Sequence, residues 1–304
     1  MFVLRVLLCS LLMVVSLQGD LPLQNKIVYL VSPPRSLSVA FLRSMQARGD
    51  FEVMNEPSQW AYCSIHCKDI ARPWFTENAL PTFAAVKQKI IEEASRSNVF
   101  VKEMSFAVRD FLLQDKDLVK NKNVHFVFLI RNPHHSTISF YKKAEIVRKD
   151  TDKEALVNLL GYKTCYETFD YIKREAVNAP CIVLSENLYS DPQGTMQSLC
   201  KFLDIPFTDK MLNWSSLGDS FRGEEWSEIK PLEITQLWHG SAIKSSGFGQ
   251  PAQYLLDGEG KPSFAEIVDE ARREVYKTAY FENLPFYQKF FSEQNAQAIL
   301  KKLL

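Results

Sequence analysis

Ile27-Val28-Tyr29-Leu30-Val31-Ser32-Pro33-Pro34-Arg35-Ser36-Leu37-Ser38-Val39-Ala40-Phe41 decides how the chain folds. An apolar run of strand length ends at two prolines. A basic residue with two nearby hydroxyls then leads into a helical pattern at 36–48, where Val39, Leu42 and Met45 share a face. Strand, tight loop and helix N-terminus form a geometry that holds phosphate, because free backbone N–H groups and the positive helix end converge on one point. Arg35 adds a planar charged fork, and Ser36 and Ser38 add hydroxyl donors. The common nucleotide loop, G-x-x-x-x-G-K-[ST], is absent, since this stretch has neither its glycines nor its lysine. Two readings are open from these residues alone: a phosphate loop of another type, and an ordinary strand-to-helix turn.

Outward from that loop, strands and helices alternate. A short strand at 51–54 ends in Asn55-Glu56-Pro57, and a helix is expected over 82–96. Asn98-Val99-Phe100-Val101-Lys102 is another strand, ending in Lys102-Glu103-Met104 and followed by a helix at 106–113. Val124-His125-Phe126-Val127-Phe128-Leu129-Ile130 is the strongest strand pattern, apolar on both faces as a central parallel strand should be. It ends in Arg131-Asn132-Pro133 and passes into a helix over 134–149; a helix at 161–177, a strand at 181–184 and a helix at 194–203 complete the series. This order predicts an α/β fold, a three-layer sandwich with a central parallel sheet flanked by helices and its site at the C-terminal strand edge. The stretches 57–81 and 213–260 lack periodicity; the second reads as a long loop or lid. Amphipathic helices are expected over 263–280 and 288–303, and one domain over 20–304 is the economical reading.

The composition is that of a globular protein with a full core: 304 residues, 46% hydrophobic and 24% charged. Lys+Arg and Asp+Glu balance at 36 each, so no global field points to nucleic acid or an anionic membrane, and anion binding must be local. Residues 1–19 have a singly basic start, an apolar run at 6–17 and small residues before Asp20. They read as a secretory signal peptide or short anchor, with a buried N-terminal helix as the alternative. The expected location is the secretory pathway or outside the cell, the Golgi lumen if the source is eukaryotic, with no integral membrane domain once the leader is removed. Beyond Cys9 in the leader, Cys63, Cys67, Cys165, Cys181 and Cys200 are an odd number, read as core or free thiols. Cys63 and Cys67 with His66 supply too few ligands for a closed zinc site, so no metal is expected.

A second constellation starts at Arg131-Asn132-Pro133 and reaches Ser139 eight residues after Arg131. If a helix begins near Pro133, Arg131 sits at its mouth and Ser139 about two turns in, so the pair can clasp a second phosphate. An arginine closing strand and helix ends, with a serine in an ordinary helix, is the plain alternative. Taken together, the two segments resemble the nucleotide motifs of the PAPS-dependent sulfotransferases, P-[KR]-[ST]-x-[ST] and R-N-P followed by S. Here they read Pro34-Arg35-Ser36-Leu37-Ser38 and Arg131-Asn132-Pro133-His134-His135-Ser136-Thr137-Ile138-Ser139. Val183-Leu184-Ser185-Glu186-Asn187-Leu188 with Asp191-Pro192 and Phe202-Leu203 is similar to a third family segment, and Glu56-Pro57 matches the divergent members whose loop reads P-R-S-x-S-T-A.

The resemblance implies a P-loop-like fold and transfer of a sulfuryl group from PAPS to a hydroxyl or amine acceptor. The acceptor, whether small molecule, glycan or protein, is not named by it. It places the 5′-phosphosulfate against Arg35, Ser36, Leu37, Ser38 and Val39, and the 3′-phosphate against Arg131 and Ser139. Arg35 and Lys102 are the expected charges on the leaving phosphate and Glu56 the expected base, its pKa raised by desolvation. His66, Glu103, His134 and His135 are reserves. The chain departs from the family at Leu37, where a glycine is common, at Lys102-Glu103-Met104, which lacks the usual histidine, and at Ser185, which replaces a tyrosine. No R-K-G-x-x-G follows residue 210, and Arg222-Gly223 is a poor substitute. Those losses keep open a binding or effector protein that retains the scaffold without the chemistry. A nucleotide kinase or hydrolase is disfavoured by the missing glycine-rich loop and metal carboxylates.

Overall fold

The computed structural model describes residues 24–68, 75, 79–147, 152–218, 232–249 and 256–303. The leader expected at 1–19 and the pair Arg222-Gly223 lie outside them. Five parallel strands, β1 (Ile27–Ser32), β2 (Phe51–Asn55), β3 (Asn98–Met104), β4 (Val124–Ile130) and β5 (Cys181–Leu184), form one sheet in the order β2-β3-β1-β4-β5. β1 is buried along its whole length because both faces are covered, which is why it reads as a continuous apolar run. Tyr29 on β1 is in register with Val101 on one side and Phe126 on the other. The chain leaves β1 toward β2 and leaves β4 toward β5. The reversal between these neighbours opens a crevice at their C-terminal ends.

Alternate strand residues feed two cores. On one face Val28, Leu30, Phe100, Val127 and Leu129 pack with α1 (Ser38–Arg48) and α10 (Pro192–Leu203). Between these helices in chain order come α2 (Gln59–His66), α3 (Phe83–Ala94), α4 (Ser105–Gln114), α5 (Lys116–Val119), α6 (Pro133–Val147), α7 (Lys153–Leu160), α8 (Tyr162–Glu175) and α9 (Ser185–Ser190). The opposite face packs Tyr29, Val101, Phe126 and Phe128 against apolar residues of α3, α4, α7 and α8. The expected three-layer α/β sandwich is present. Local chemistry sets the helix starts: Thr82 Oγ1 accepts from the Ala85 amide at 3.2 Å, and Asp191 Oδ1 accepts from Gly194 at 2.9 Å with Pro192 in the first turn.

Four sequence expectations are corrected. The irregular 57–81 stretch contains α2, whose Trp60 and Cys63 are buried against Phe75. The gap after residue 149 holds α7, started by Asp152 and ended by Gly161 at φ 68, a left-handed position that glycine occupies without a Cβ clash. The stretch read as loop at 213–260 contains α11 (Leu232–Ile243). The two C-terminal helices are one, α12 (Glu270–Leu303), which starts later than expected and carries Pro285 inside it. Asn283, two residues before that proline, is fully buried. It accepts from the Tyr162 amide at 3.1 Å and donates to the carbonyls of Ala279 and Val157, pinning α12 to α7 and α8. Among the described residues no helix is long and apolar enough to cross a membrane, and the five described cysteines are free thiols.

Candidate active site

A cavity of about 340 Å³ lies at the sheet's C-terminal edge, beside the crevice between β1 and β4. The loop after β1 enters it through two strained residues, Arg35 at φ 64 and Leu37 at φ 67. Neither is glycine, and left-handed backbone costs an L-residue roughly 1–2 kcal/mol. Leu37, where the resemblance implies glycine, holds this left-handed turn at a conformational cost. The turn ends in α1, whose first helical bond runs from the Phe41 amide to the Leu37 carbonyl at 2.9 Å. The amides of Ser38, Val39 and Ala40 precede that bond, and these three residues line the cavity.

The two sequence motifs meet there. Arg35 Nε donates to Ser139 Oγ at 3.0 Å, and Arg131 Nη1 donates to the Arg35 carbonyl at 3.0 Å. Arg35, Arg131 and Ser139 all line the cavity. Burial, with Arg131 nearby, draws the Arg35 guanidinium down to about 10, still charged at neutral pH. Arg131 lies over the Tyr189 ring at 5.7 Å. Ser36 is buried, and its Oγ has no hydrogen-bond partner among the described residues, although its carbonyl accepts from Ser185 Oγ at 2.8 Å. Ser185 therefore braces the loop after β1.

The backbone of Arg131 and Asn132 is held by side chains from α8 and α9. Tyr162 at the start of α8 donates its hydroxyl to the Arg131 carbonyl at 2.6 Å and lies 2.9 Å from Ser136 Oγ. Glu186 Oε1 accepts from the Asn132 amide at 2.7 Å, and Asn132 Oδ1 accepts from the His134 amide at 3.0 Å, starting α6. The third family-like segment thus fixes the second motif.

Lys102 and Glu56 form a buried ion pair, 0% and 7% exposed, and both line the cavity. Glu56, at φ 51, is a third left-handed non-glycine residue. Burial alone pushes its carboxyl up, but Lys102, His239 and Arg35 together outweigh this and hold it below the usual carboxylate value. The upward shift expected for a general base is therefore reversed, because charge from its neighbours outweighs desolvation. Burial lowers the Lys102 ammonium against the opposing pull of Glu56.

The reserve residues sit elsewhere. The His66 ring lies tilted against Tyr62 at 4.4 Å, His134 Nε2 meets the Ser263 carbonyl at 2.6 Å, and burial beside Arg131 takes His135 down to about 4. None of the three lines the cavity. Glu103 is fully buried behind it and accepts from the Ser58 amide at 2.9 Å. Desolvation raises its carboxyl to about 8. The unfolded chain loses that proton near 4.5 while the fold keeps it, so this group's contribution to stability is lost as pH rises toward 8. Glu103→Gln keeps the acceptor for Ser58 and cannot ionise. Denaturant melts should show it gaining about 2–4 kcal/mol more over native at pH 8.5 than at pH 4.5. Equal gains at both pH values would contradict a buried neutral carboxyl.

The sequence reading does not reach several cavity residues, among them Tyr189, Trp238 and His239. Tyr189 lies on α9, and Trp238 and His239 on α11. Arg35 Nη1 donates to the Trp238 carbonyl at 2.7 Å, tying α11 to the loop after β1, and the Trp238 ring packs 5.6 Å from Phe140. The sequence LEITQLWHGSAI does not segregate its apolar residues on one face, so periodicity carried no helical signal there.

Residues 26–260 match the family described as the sulfotransferase domain, and the chain belongs to that family. Among individual proteins it is similar to the branched-chain-amino-acid aminotransferase-like protein 2 of Arabidopsis thaliana, 26% identical over 238 residues. That match takes in 75% of this chain, which spans only 37% of the relative's length. Among solved structures, the sulfotransferase domain of the Synechococcus PCC 7002 olefin synthase is 15% identical with a TM-score of 0.42, covering 72% of this chain and 94% of that one. A mouse sulfotransferase complexed with PAP is 12% identical with a TM-score of 0.39, covering 92% and 89%.

Proposed function

We propose that this chain transfers a sulfuryl group from PAPS to a hydroxyl or amine acceptor. The observation that carries the reading is the joining of two motifs 96 residues apart: Arg131 bonded to the backbone of Arg35, and Arg35 to Ser139, at the wall of one cavity. The buried Arg131 and half-buried Arg35 guanidiniums, the α1 N-terminus and the orphaned Ser36 hydroxyl suit a ligand with two separated anionic groups. PAPS has that form, with a sulfuryl group activated on its 5′-phosphate and a second handle in its 3′-phosphate.

Each residue then has a physical task. Arg35 and the amides of Ser38 and Val39 hold the 5′-phosphate and oppose the charge that grows on it as transfer proceeds. Arg131 and Ser139 hold the 3′-phosphate. Lys102 adds a second cation beside Arg35, and Glu56 aims it through their ion pair. The other cavity walls, Phe75, Met104, Phe106, Phe140 and Trp238, exclude water, which strengthens these interactions.

One observation favours a second reading, a binding protein that has lost transfer: Arg35 and Lys102 are already engaged by protein partners. Incubation with radiolabelled PAPS and a panel of alcohols, phenols and amines separates the two. Label moving to an acceptor is the expected result. PAPS bound but unconsumed with every acceptor, and with water, would establish the binding protein instead.

A further inference from the structure

Resting on the reading of the cavity as a sulfuryl-transfer site, we propose that His239, carried by α11, is the base that takes the acceptor's proton. The sequence reading places Glu56 in this role, but the structure commits that carboxylate to an ion pair with Lys102. Of the chain's five histidines, His239 is the one that lines the cavity.

The charged groups that act on it are Glu56, Lys102 and Arg35. Burial dominates and lowers the imidazole to about 4; Glu56 pulls upward, Lys102 and Arg35 downward. The ring is therefore neutral at neutral pH, the form that can take up a proton. Glu56 is the poorer candidate, since its carboxylate is held by Lys102 and ionised well into acid. Its better use is to offset the positive charge on His239 once the proton has moved. An anionic ligand beside Arg35 and Lys102 offsets the two groups that depress the imidazole, moving its basicity toward the useful range.

Position supports the assignment independently. The neighbouring Trp238 carbonyl accepts from Arg35 at 2.7 Å, so the residue before the base is fixed to the side chain that faces the leaving phosphate. In the step itself, the acceptor O–H or N–H proton passes to His239 while the acceptor atom forms a bond to sulfur. The bond from sulfur to the 5′-phosphate oxygen breaks, and its electron pair stays on that oxygen, facing Arg35 and Lys102. No oxidant or reductant is needed.

The test uses the full chain and its His239→Asn and His239→Ala variants, with radiolabelled PAPS as donor and phenol, ethanolamine and water as acceptors. Calorimetry with 3′,5′-ADP runs alongside. His239→Asn should consume donor about 10²–10⁴-fold more slowly while its affinity for 3′,5′-ADP stays within about threefold of native. The native rate should rise with pH through an imidazole titration that the Asn variant lacks, and added imidazole should restore part of the His239→Ala rate. A variant rate within about threefold of native overturns the assignment, as does affinity falling in step with rate. Native chain that binds 3′,5′-ADP yet consumes no donor also overturns it. Native chain that does not bind 3′,5′-ADP overturns the sulfuryl-transfer reading itself, and the base with it.

Discussion

Replacing Lys102 with methionine is expected to destabilise the chain by about 3–5 kcal/mol and to slow transfer about 10²–10³-fold. The stability loss comes from Glu56, left ionised at 7% exposure without its principal counter-charge. The rate loss comes from removing one of the two cations beside the leaving phosphate. A second substitution separates these effects. Lys102→Met with Glu56→Gln removes the orphaned charge, so the double variant should recover most of the lost stability in denaturant melts. It should stay as slow as the single variant, because the cation is still missing. Recovery of the rate together with the stability would show that the pair serves only the fold.

Arg35→Ala should reduce turnover per unit of donor about 10³-fold, and Arg35→Lys by about 10–100-fold. Arg35 is bonded through Nε to Ser139 and through Nη1 to the Trp238 carbonyl, so its side chain joins the phosphate loop to both α6 and α11. Alanine loses the charge and both bonds. Lysine keeps a point charge but has no planar fork to reach two acceptors at once. Fold is not the issue, because the φ of 64 at this position strains alanine and lysine alike. Steady-state rates with labelled PAPS read the ranking native, lysine, alanine. Equal activity in all three would remove Arg35 from the site.

The sheet was legible because parallel strands covered on both sides carry unbroken apolar runs, as at Ile27 to Val31 and Phe126 to Ile130, and because each run ends in a polar signature. The two motifs that meet at the cavity were legible for the same reason, since they sit where strands end. The supports were harder to see. Tyr162 bonds the Arg131 carbonyl from a helix 31 residues along the chain, a tertiary relation with no local pattern. Helix α11 was missed because its apolar and polar residues are not sorted onto faces, and with it went Trp238 and His239. The break expected near Pro285 follows from proline's missing N–H; tertiary anchoring through Asn283 carries the helix past it. Glu56 shows a different limit. Burial at a strand end was foreseeable, but the closeness of Lys102, which reverses its pKa shift, depends on β2 and β3 being neighbours.

The central claim is that one cavity binds a nucleotide through two separate phosphate groups. Calorimetric titration of the chain with 3′,5′-ADP, with 5′-AMP as control, tests it directly. The account predicts clear binding of the bisphosphate, much weaker binding of the monophosphate, and a loss of about 2–4 kcal/mol of bisphosphate affinity in Arg131→Ala. Equal affinity for the two nucleotides, or bisphosphate binding unchanged by Arg131→Ala, would contradict it.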